Sequence, residues 1–223
     1  MSELRIALFD FDGTLVDSVS SIIRHTQIAC EEAAVSLPSE AHIRQNIGKG
    51  LMDAAFDYAA GHEAKAQMIF DGYRASARRE LTSPTHQGDA LFDGAQDALE
   101  GLSQDGWLLG IVTNKGRFGL QAHLEMYGMT DLFDVTLTAD DVPVKPAPDM
   151  ALEALRRTGA NLGRACLIGD TVNDARCARN AKMDFVGVSW GYHADAILTE
   201  EGACYIAPDF PELVRFLTAH IPN

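Results

Sequence analysis

The sequence predicts an α/β fold built on a parallel sheet, with a helical module inserted after the first strand. Short apolar runs recur along the chain, and each is followed by a stretch with helical spacing, which is the pattern of βα units. The runs are almost continuously hydrophobic, as strands are when helices cover both faces of their sheet. Between residues 16 and 88, in contrast, the patterns are helical and predict no strand. The sequence therefore predicts a core of residues 1–15 and 89–223 and an inserted domain of residues 16–88.

The predicted strands end in Gly, Asp or Thr, and predicted helices follow them. Strands are expected at Arg5–Phe9, Leu108–Val112, Asp134–Leu137, Ala165–Ile168 and Phe185–Val188. Helices of the core are expected at Ala95–Ser103, Gly119–Tyr127, Asp149–Thr158 and Ala175–Ala181. Helices of the insertion are expected after a Ser18 cap, from Pro38-Ser39, and over Leu51–Ala60 and Glu63–Arg79. The polar stretch 82–88 predicts the linker back to the core.

The charge balance excludes some classes of partner. The chain has 223 residues, of which 47% are hydrophobic and 22% charged, as in an ordinary globular protein. Its 18 Lys and Arg against 32 Asp and Glu give a net charge of −14, which repels nucleic acids and anionic lipid surfaces at long range. We therefore expect no nucleic-acid partner. An anionic substrate has to be held by local cations or by a metal ion.

Cysteine spacing and the N-terminal sequence indicate a reducing compartment. The four cysteines are widely spaced and form no CxxC pair, so we expect reduced, structural thiols. The N-terminus has no basic segment followed by an apolar one, and no run reaches about 18 apolar residues. We expect no membrane partner and a cytoplasmic location.

A pair of carboxylates follows the first predicted strand, in the segment Phe9-Asp10-Phe11-Asp12-Gly13-Thr14-Leu15. Residues two apart in an extended chain point the same way, so Asp10 and Asp12 can face one site. Two like charges so close together are unfavourable unless a cation offsets them, and Mg²⁺ prefers carboxylate oxygen, water and phosphate. The alternative is a solvated loop, where Asp and Gly are common.

A second acidic cluster follows the fourth predicted strand, in Gly169-Asp170-Thr171-Val172-Asn173-Asp174. Because the carboxyl ends of parallel strands meet at one edge of a sheet, Asp170 and Asp10 can share a crevice although 160 residues separate them. Asp174 is a candidate for the same site, and it can also be an ordinary acidic residue in the first turn of a helix.

Two residues with neutral hydrogen-bonding side chains and one lysine complete the set of candidate site residues. Thr113 and Asn114 end the second predicted strand, and such hydroxyl, amide and backbone N–H groups suit phosphate oxygens. Lys145 lies before a proline-rich stretch and is a candidate to neutralise charge. The alternatives are ordinary turn chemistry for Thr113 and Asn114 and a solvated surface side chain for Lys145.

Together these residues resemble the haloacid dehalogenase superfamily of aspartate-nucleophile phosphohydrolases. The segment Asp10-Phe11-Asp12-Gly13-Thr14-Leu15 resembles its first motif, Thr113-Asn114 its second, Lys145 its third, and 169–174 its fourth. The resemblance implies a Rossmann-like core in which the first strand lies between the second and the fourth. It also implies that the helical insertion is a type I cap, which closes over the active site.

The resemblance is greatest to phosphoglycolate phosphatase-like members and implies a role for each motif. Asp10 is expected to be the nucleophile and Asp12 the general acid and base; dehalogenases and phosphonate-cleaving relatives lack an aspartate at the second position. Mg²⁺ is expected on Asp10, the backbone carbonyl of Asp12 and Asp170, with Asp174 either a ligand or orienting a bound water. Lys145 and the donors of the second motif are expected to cover the remaining phosphate charge.

The cap is expected to select the substrate, a small phosphorylated metabolite for which 2-phosphoglycolate is the candidate by resemblance. Arg44 and Lys49 are the cap residues expected to reach it, although Gly48-Lys49-Gly50 can also be an ordinary turn between helices. A sugar phosphomutase and a catalytically silent regulatory protein of the same fold remain alternatives. The chain is expected to be a monomer or a homodimer.

Overall fold

A six-stranded parallel sheet forms the centre of the computed structural model, which describes residues 4–86 and 88–222. In chain order the elements are β1 (Ile6–Phe9), β2 (Val16–Asp17), α1 (Val19–Glu32), α2 (Glu40–Asn46), α3 (Leu51–Tyr58), α4 (Glu63–Leu81), β3 (Ala90–Leu91), α5 (Ala95–Gln104), β4 (Leu108–Val112), α6 (Arg117–Met126), β5 (Val135–Leu137), α7 (Asp149–Thr158), β6 (Ala165–Gly169), α8 (Val172–Ala181), β7 (Asp184–Val188), α9 (Asp195–Glu200), β8 (Tyr205–Ala207) and α10 (Phe210–His220). The strand order is β5-β4-β1-β6-β7-β8. The predicted α/β fold, with the first strand between the second and the fourth, is confirmed.

Helices cover both faces of the sheet, which explains the continuous hydrophobicity of its strands. In β1 all four residues are buried and their side chains alternate between the two faces. Ala7 and Phe9 pack with α5, α6 and α10, whereas Ile6 and Leu8 pack with α7, α8 and α9. Each strand therefore contributes to two apolar layers at once.

The register of the sheet decides which residues meet at its edge. Phe9 is paired with Ile111 of β4 on one side and with Ile168 of β6 on the other. These three strands run parallel and end almost level, so the residues that follow Phe9, Val112 and Gly169 emerge side by side.

The insertion contains the helices α1 to α4, as its pattern predicted, but the two-residue strand β2 (Val16–Asp17) lies at its start, where no strand was expected. The helices α1 and α3 both pack against α4, and residues of these helices and of the turns after them form a small separate core. Its buried members are Ala29, Cys30, Ala33, Ala55, Ala59, Ala66 and Ile69. The short antiparallel pair β2–β3 joins the start of the insertion to its end, with Val16 opposite Leu91. We propose the division into a core of 1–15 and 89–223 and a cap of 16–88 on this basis.

Several details differ from the predictions. The edge strand β8 and the helices α9 and α10 were not predicted. The three residues of β8 are too few to show a period. Ser18 precedes α1, but its side chain makes no capping hydrogen bond; its backbone N–H donates to Tyr192 Oη at 3.0 Å. Gln87, in the predicted linker, lies outside the described residues. Among the described helices none is both long and apolar enough to cross a membrane.

Candidate active site

A buried ammonium group lies between two buried carboxylates at the carboxyl edge of the sheet. Lys145 Nζ is 2.8 Å from Asp10 Oδ1 and 2.6 Å from Asp174 Oδ1, and the three side chains are at most 5% exposed. Asp10 follows β1, Asp174 lies in the first turn of α8, and Lys145 lies in the loop between β5 and α7. The parallel sheet therefore joins three motifs that are far apart along the chain.

Asp174 is both a residue of a helix start and a part of the site. Its Oδ2 accepts hydrogen bonds from the backbone N–H of Thr171 at 3.0 Å and from the Thr171 hydroxyl at 2.6 Å. Its Oδ1 faces Lys145. The two roles that the sequence left open are thus compatible, since each uses a different oxygen.

Asp170, like Asp174, is fully buried. Its Oδ1 accepts a hydrogen bond from the Thr14 hydroxyl at 2.9 Å, and its Oδ2 accepts one from the backbone N–H of Tyr192 at 2.9 Å. The backbone of Gly13 runs against this carboxylate with a φ of +89°, and a Cβ at Gly13 would collide with it. Position 13 therefore requires glycine for two reasons: its backbone conformation has a positive φ, and its Cα lies too close to the Asp170 carboxylate for a side chain to fit.

Burial makes these carboxylates hard to ionise. Burial raises the pKa of Asp10 to about 7, against the lowering effect of Lys145, and Asp174 adds a further raising effect. Burial also raises the pKa of Asp170 well above its usual range, and the charges of Asp174 and Asp10 act in the same direction. The single positive charge of Lys145 therefore does not balance the negative charges that Asp10, Asp170 and Asp174 would carry together.

The arrangement fits a divalent cation. Asp10, Asp170 and Asp174 each offer a carboxylate oxygen within 4.8 Å of the others, and this is the one such group among the described His, Cys, Asp and Glu residues. Asp10 Oδ1 is buried, and its close partner of opposite charge is Lys145 Nζ, at 2.8 Å. Hard carboxylate oxygens suit Mg²⁺, whose charge would offset the repulsion among them.

The side chain of Asp12 lies apart from this trio and pairs with a lysine that the sequence reasoning missed. Lys115 Nζ donates to both carboxylate oxygens of Asp12, at 2.9 and 3.1 Å, and both side chains are less than a fifth exposed. Lys115 follows Thr113-Asn114 directly, and that position at the strand end was the available signal. The structure thus adds a second lysine beside the first motif.

Thr113 and Asn114 occupy different positions at the end of β4. Thr113 is buried and its hydroxyl accepts a hydrogen bond from the backbone N–H of Lys115 at 3.2 Å. The Asn114 amide binds backbone groups: Oδ1 accepts from Lys145 N at 2.8 Å, and Nδ2 donates to Lys145 O at 3.0 Å and to Gly48 O at 2.9 Å. Asn114 therefore fixes the backbone of Lys145 together with the cap loop, which is the loop 47–50 between α2 and α3.

A cavity of about 510 Å³ lies between the cap and the core, with Asp10, Asp12, Thr113 and Asn114 in its wall. Lys49 also lines it; its side chain is exposed and makes no ion pair or hydrogen bond with the described residues. Arg44 does not line this cavity. It lines a smaller pocket with Val172, Tyr192 and His193.

Known proteins resemble this chain over most of its length. The model of the haloacid dehalogenase-like hydrolase family matches residues 7–188, which include all four motifs. The chain belongs to this family. A relative named "Probable phosphatase IndB", from Dickeya dadantii, is 32% identical over 94% of this chain and 91% of its own length. The phosphoglycolate phosphatase of Yersinia pestis is 31% identical over 92% of this chain and 89% of its own length.

Solved structures of the family share the fold over almost the whole chain. A haloacid dehalogenase-like family hydrolase of Streptococcus pneumoniae superposes with a TM-score of 0.83 at 25% identity, covering 97% of this chain and 99% of the other. The predicted family, its phosphoglycolate phosphatase-like character and the phosphatase class of enzyme are confirmed by these relatives.

The raised pKa values predict how stability depends on pH. In the metal-free protein, the native state holds protons on Asp10 and Asp170 that the unfolded chain releases near pH 4, so these groups lower the free energy of unfolding as pH rises from about 4 to 7. We expect Asp170→Asn to be more stable than the wild type in EDTA at pH 8, by about 1–3 kcal/mol, because asparagine has neither to bind a proton nor to bury a charge on folding.

Urea denaturation at pH 5 and pH 8 measures this difference, which should shrink at pH 5. Asp93→Asn is the matched control, since Asp93 is exposed and outside the site. A destabilised Asp170→Asn at pH 8 in EDTA would contradict the electrostatic explanation.

Proposed function

We propose that the protein is a Mg²⁺-dependent phosphomonoester hydrolase that acts on a small phosphorylated metabolite through an aspartyl-phosphate intermediate. The observation that supports this most strongly is the buried cluster of Asp10, Asp170 and Asp174 around Lys145. Phosphoryl transfer depends mainly on positioning and on neutralisation of charge, and this cluster can provide both.

The metal ion would be held by the carboxylates of Asp10 and Asp170 and by the backbone carbonyl of Asp12. Asp174 would be either a further ligand or a residue that orients a metal-bound water. The charge of the ion would neutralise part of the negative charge of the phosphate. Asp10 attacks the phosphorus atom, and the bond from phosphorus to the ester oxygen breaks. Lys145, Thr113 and the backbone N–H groups at the end of β4 hold the phosphate oxygens.

Asp12 is proposed as the general acid and base. It gives a proton to the departing alcohol, and it then takes one from the water that attacks the aspartyl phosphate. Inorganic phosphate leaves and the Asp10 carboxylate is restored. The contact with Lys115 holds the Asp12 carboxylate in a fixed orientation.

The substrate proposed first is 2-phosphoglycolate, since relatives of 30 to 31% identity are named phosphoglycolate phosphatases. Its carboxylate would pair with Lys49, the cap cation that lines the cavity. Arg44 is the second cap candidate from the sequence, and its place on the other pocket argues for a smaller role.

Replacing the nucleophile should abolish turnover without unfolding the protein. We expect Asp10→Asn to release no phosphate from p-nitrophenyl phosphate or 2-phosphoglycolate, because an amide is not a nucleophile for phosphorus. Thermal unfolding should show an intact fold. Full activity of this variant would exclude Asp10 as the nucleophile, and isomerisation of sugar phosphates without phosphate release by the wild type would favour a phosphomutase.

Removing divalent metal should abolish activity, and adding Mg²⁺ should restore it. A ligand that binds the native state alone also raises stability, so Mg²⁺ should raise the melting temperature of the EDTA-treated wild type. Asp170→Asn should lose most of that increase, whereas the exposed Asp93→Asn should keep it. A chelator-insensitive enzyme without a Mg²⁺-dependent melting temperature would contradict the metal assignment.

Lys49 should matter for an acidic leaving group and not for a neutral one. A charge-assisted hydrogen bond contributes about 1.5–3 kcal/mol, so Lys49→Ala should lower kcat/KM for 2-phosphoglycolate about tenfold or more. The value for p-nitrophenyl phosphate should hardly change. Arg44→Ala is measured in parallel. A larger loss of kcat/KM for 2-phosphoglycolate in Arg44→Ala than in Lys49→Ala would reverse the proposed roles.

A further inference from the structure

The carboxylate of Asp12 has one hydrogen-bonding partner in the described part of the chain. Asp12 lines the cavity together with Asp10, but its side chain does not belong to the buried cluster around Lys145. Lys115 Nζ donates to Asp12 Oδ1 at 2.9 Å and to Oδ2 at 3.1 Å. The terminal torsion of an aspartate has broad energy wells, so its oxygens turn easily unless they are held. The direction in which the Asp12 carboxylate points therefore depends on Lys115.

The backbone of Lys115 is fixed at the end of the sheet. Its N–H donates to the Thr113 hydroxyl at 3.2 Å, and its carbonyl oxygen accepts from the N–H of Ala139 at 3.2 Å. Thr113 follows β4 and Ala139 lies two residues after β5, and these two strands are paired. On its other side β4 is paired with β1, which leads to Asp12. The lysine side chain therefore starts from a fixed point one strand away from its carboxylate.

The stem of the Lys115 side chain crosses α6 at a glycine. A Cβ at Gly119 would lie 3.3 Å from Cε of Lys115 and 3.5 Å from its Cγ. The stem thus packs against the backbone of the helix, in space that a side chain at position 119 would need. Its ammonium group ends 5.6 Å from the centre of the Phe11 ring, within the range of a cation–π contact. Phe11 precedes Asp12, so the lysine packs against the same segment that it binds.

Partial burial makes this ion pair a restraint on position. The side chains of Lys115 and Asp12 are 18% and 17% exposed. Fully exposed pairs contribute only about 0–1 kcal/mol, because water screens them and both side chains lose freedom when they meet. Here the stem of the lysine is already packed, so less freedom is lost, and charge-assisted hydrogen bonds reach both oxygens. Removing the ammonium group would leave the carboxylate free to turn in the cavity.

The two lysines at the sheet edge hold different acids. Lys145 Nζ lies between Asp10 and Asp174, at 2.8 and 2.6 Å. Among the described residues, the ion pair of Lys115 is with Asp12. The proposed nucleophile and the proposed general acid are thus held by separate cations. A substitution at Lys115 therefore removes the partner of the acid and leaves the partner of the nucleophile in place.

We propose that Lys115 is a positioning residue for Asp12: it holds the carboxyl group where that group can protonate the oxygen of the departing alcohol. This inference rests on the proposed phosphatase function and adds a residue to it. Lys115 transfers no proton itself and acts through Asp12. Its contribution is greatest for esters of weakly acidic alcohols, because a stable anion such as p-nitrophenolate departs with little help from a general acid.

Two aryl esters of similar shape test this role. Phenol is a weaker acid than p-nitrophenol, so phenyl phosphate depends more on protonation than p-nitrophenyl phosphate does. Lys115→Met removes the ammonium group and keeps an unbranched stem. We expect kcat/KM for phenyl phosphate to fall about tenfold or more, as part of the roughly 10²–10⁴-fold that a general acid contributes, and kcat/KM for p-nitrophenyl phosphate to fall less than about threefold.

The control is Lys65→Met, which also removes one positive charge. Lys65 is exposed on α4 and does not line the cavity, so both esters should keep their kcat/KM in this variant. Thermal unfolding should show an intact fold for Lys115→Met. Equal losses on the two esters in Lys115→Met would show that the lysine attracts the phosphate or supports the fold, and would overturn the positioning role.

A double-mutant cycle tests whether Lys115 acts through Asp12. In Asp12→Asn, measured at high enzyme concentration, no carboxyl group is left to position. Adding Lys115→Met should then change kcat/KM for phenyl phosphate less than about twofold. A further tenfold loss in that background would refute the inference. If the wild type hydrolyses neither aryl ester, the phosphatase function itself fails, whereas an active wild type with an unchanged ratio of the two esters in Lys115→Met excludes only the role of Lys115.

Discussion

The ion cluster of Lys145 with Asp10 and Asp174 is the constraint on which the rest of the site depends. Removing charges from water is unfavourable, and a buried carboxylate persists only with a partner of opposite charge in good geometry. At 2.8 and 2.6 Å, Lys145 touches both acids at once. Its loop between β5 and α7 must therefore be held in position as accurately as the strands that carry the acids.

Asn114 fixes that loop. Its amide forms two hydrogen bonds with the backbone of Lys145, at 2.8 and 3.0 Å, and a third with Gly48 of the cap loop, at 2.9 Å. Asn114, at the end of β4, thus links the position of Lys145 to the docking of the cap loop on the core. Gly48 itself has a φ of +86° and packs so close to Thr171 that a Cβ there would lie 2.6 Å from the hydroxyl oxygen. The cap loop is fitted closely to the core at this contact.

The wall of the cavity has two parts. The acidic cluster and its lysine lie at the sheet edge, where rigid strands position them. The remaining wall comes from cap helices and from the segments next to the insertion, with polar groups such as His123 and Asp89 among apolar side chains. A protein with a net charge of −14 can hold a phosphate in such a place because Lys145, Lys115 and Lys49 are concentrated there.

The sequence alone determined the fold class, the family and the motifs of the site. Buried parallel strands have to be continuously apolar, so acidic and hydroxyl residues directly after them stand out, and the parallel arrangement brings them to one edge. This logic singled out Asp10 and Asp170 as candidates before any coordinates, whereas Lys145 was a candidate as a cation before a proline-rich stretch. It missed β8, because a three-residue strand carries too little pattern to separate it from a loop. It also missed α10, although Asp209 caps that helix and Pro211 lies in its first turn.

Only the tertiary structure decided which side chains touch. Lys115 and Asp12 are 103 residues apart and meet because β1 and β4 are neighbours in the sheet. The Asp89 and His123 pair, and the difference between Lys49 in the cavity and Arg44 outside it, depend on how the cap helices and their loops dock. A periodic pattern specifies which face of an element is buried, whereas the partner across an interface depends on the position of another element, which local sequence does not encode.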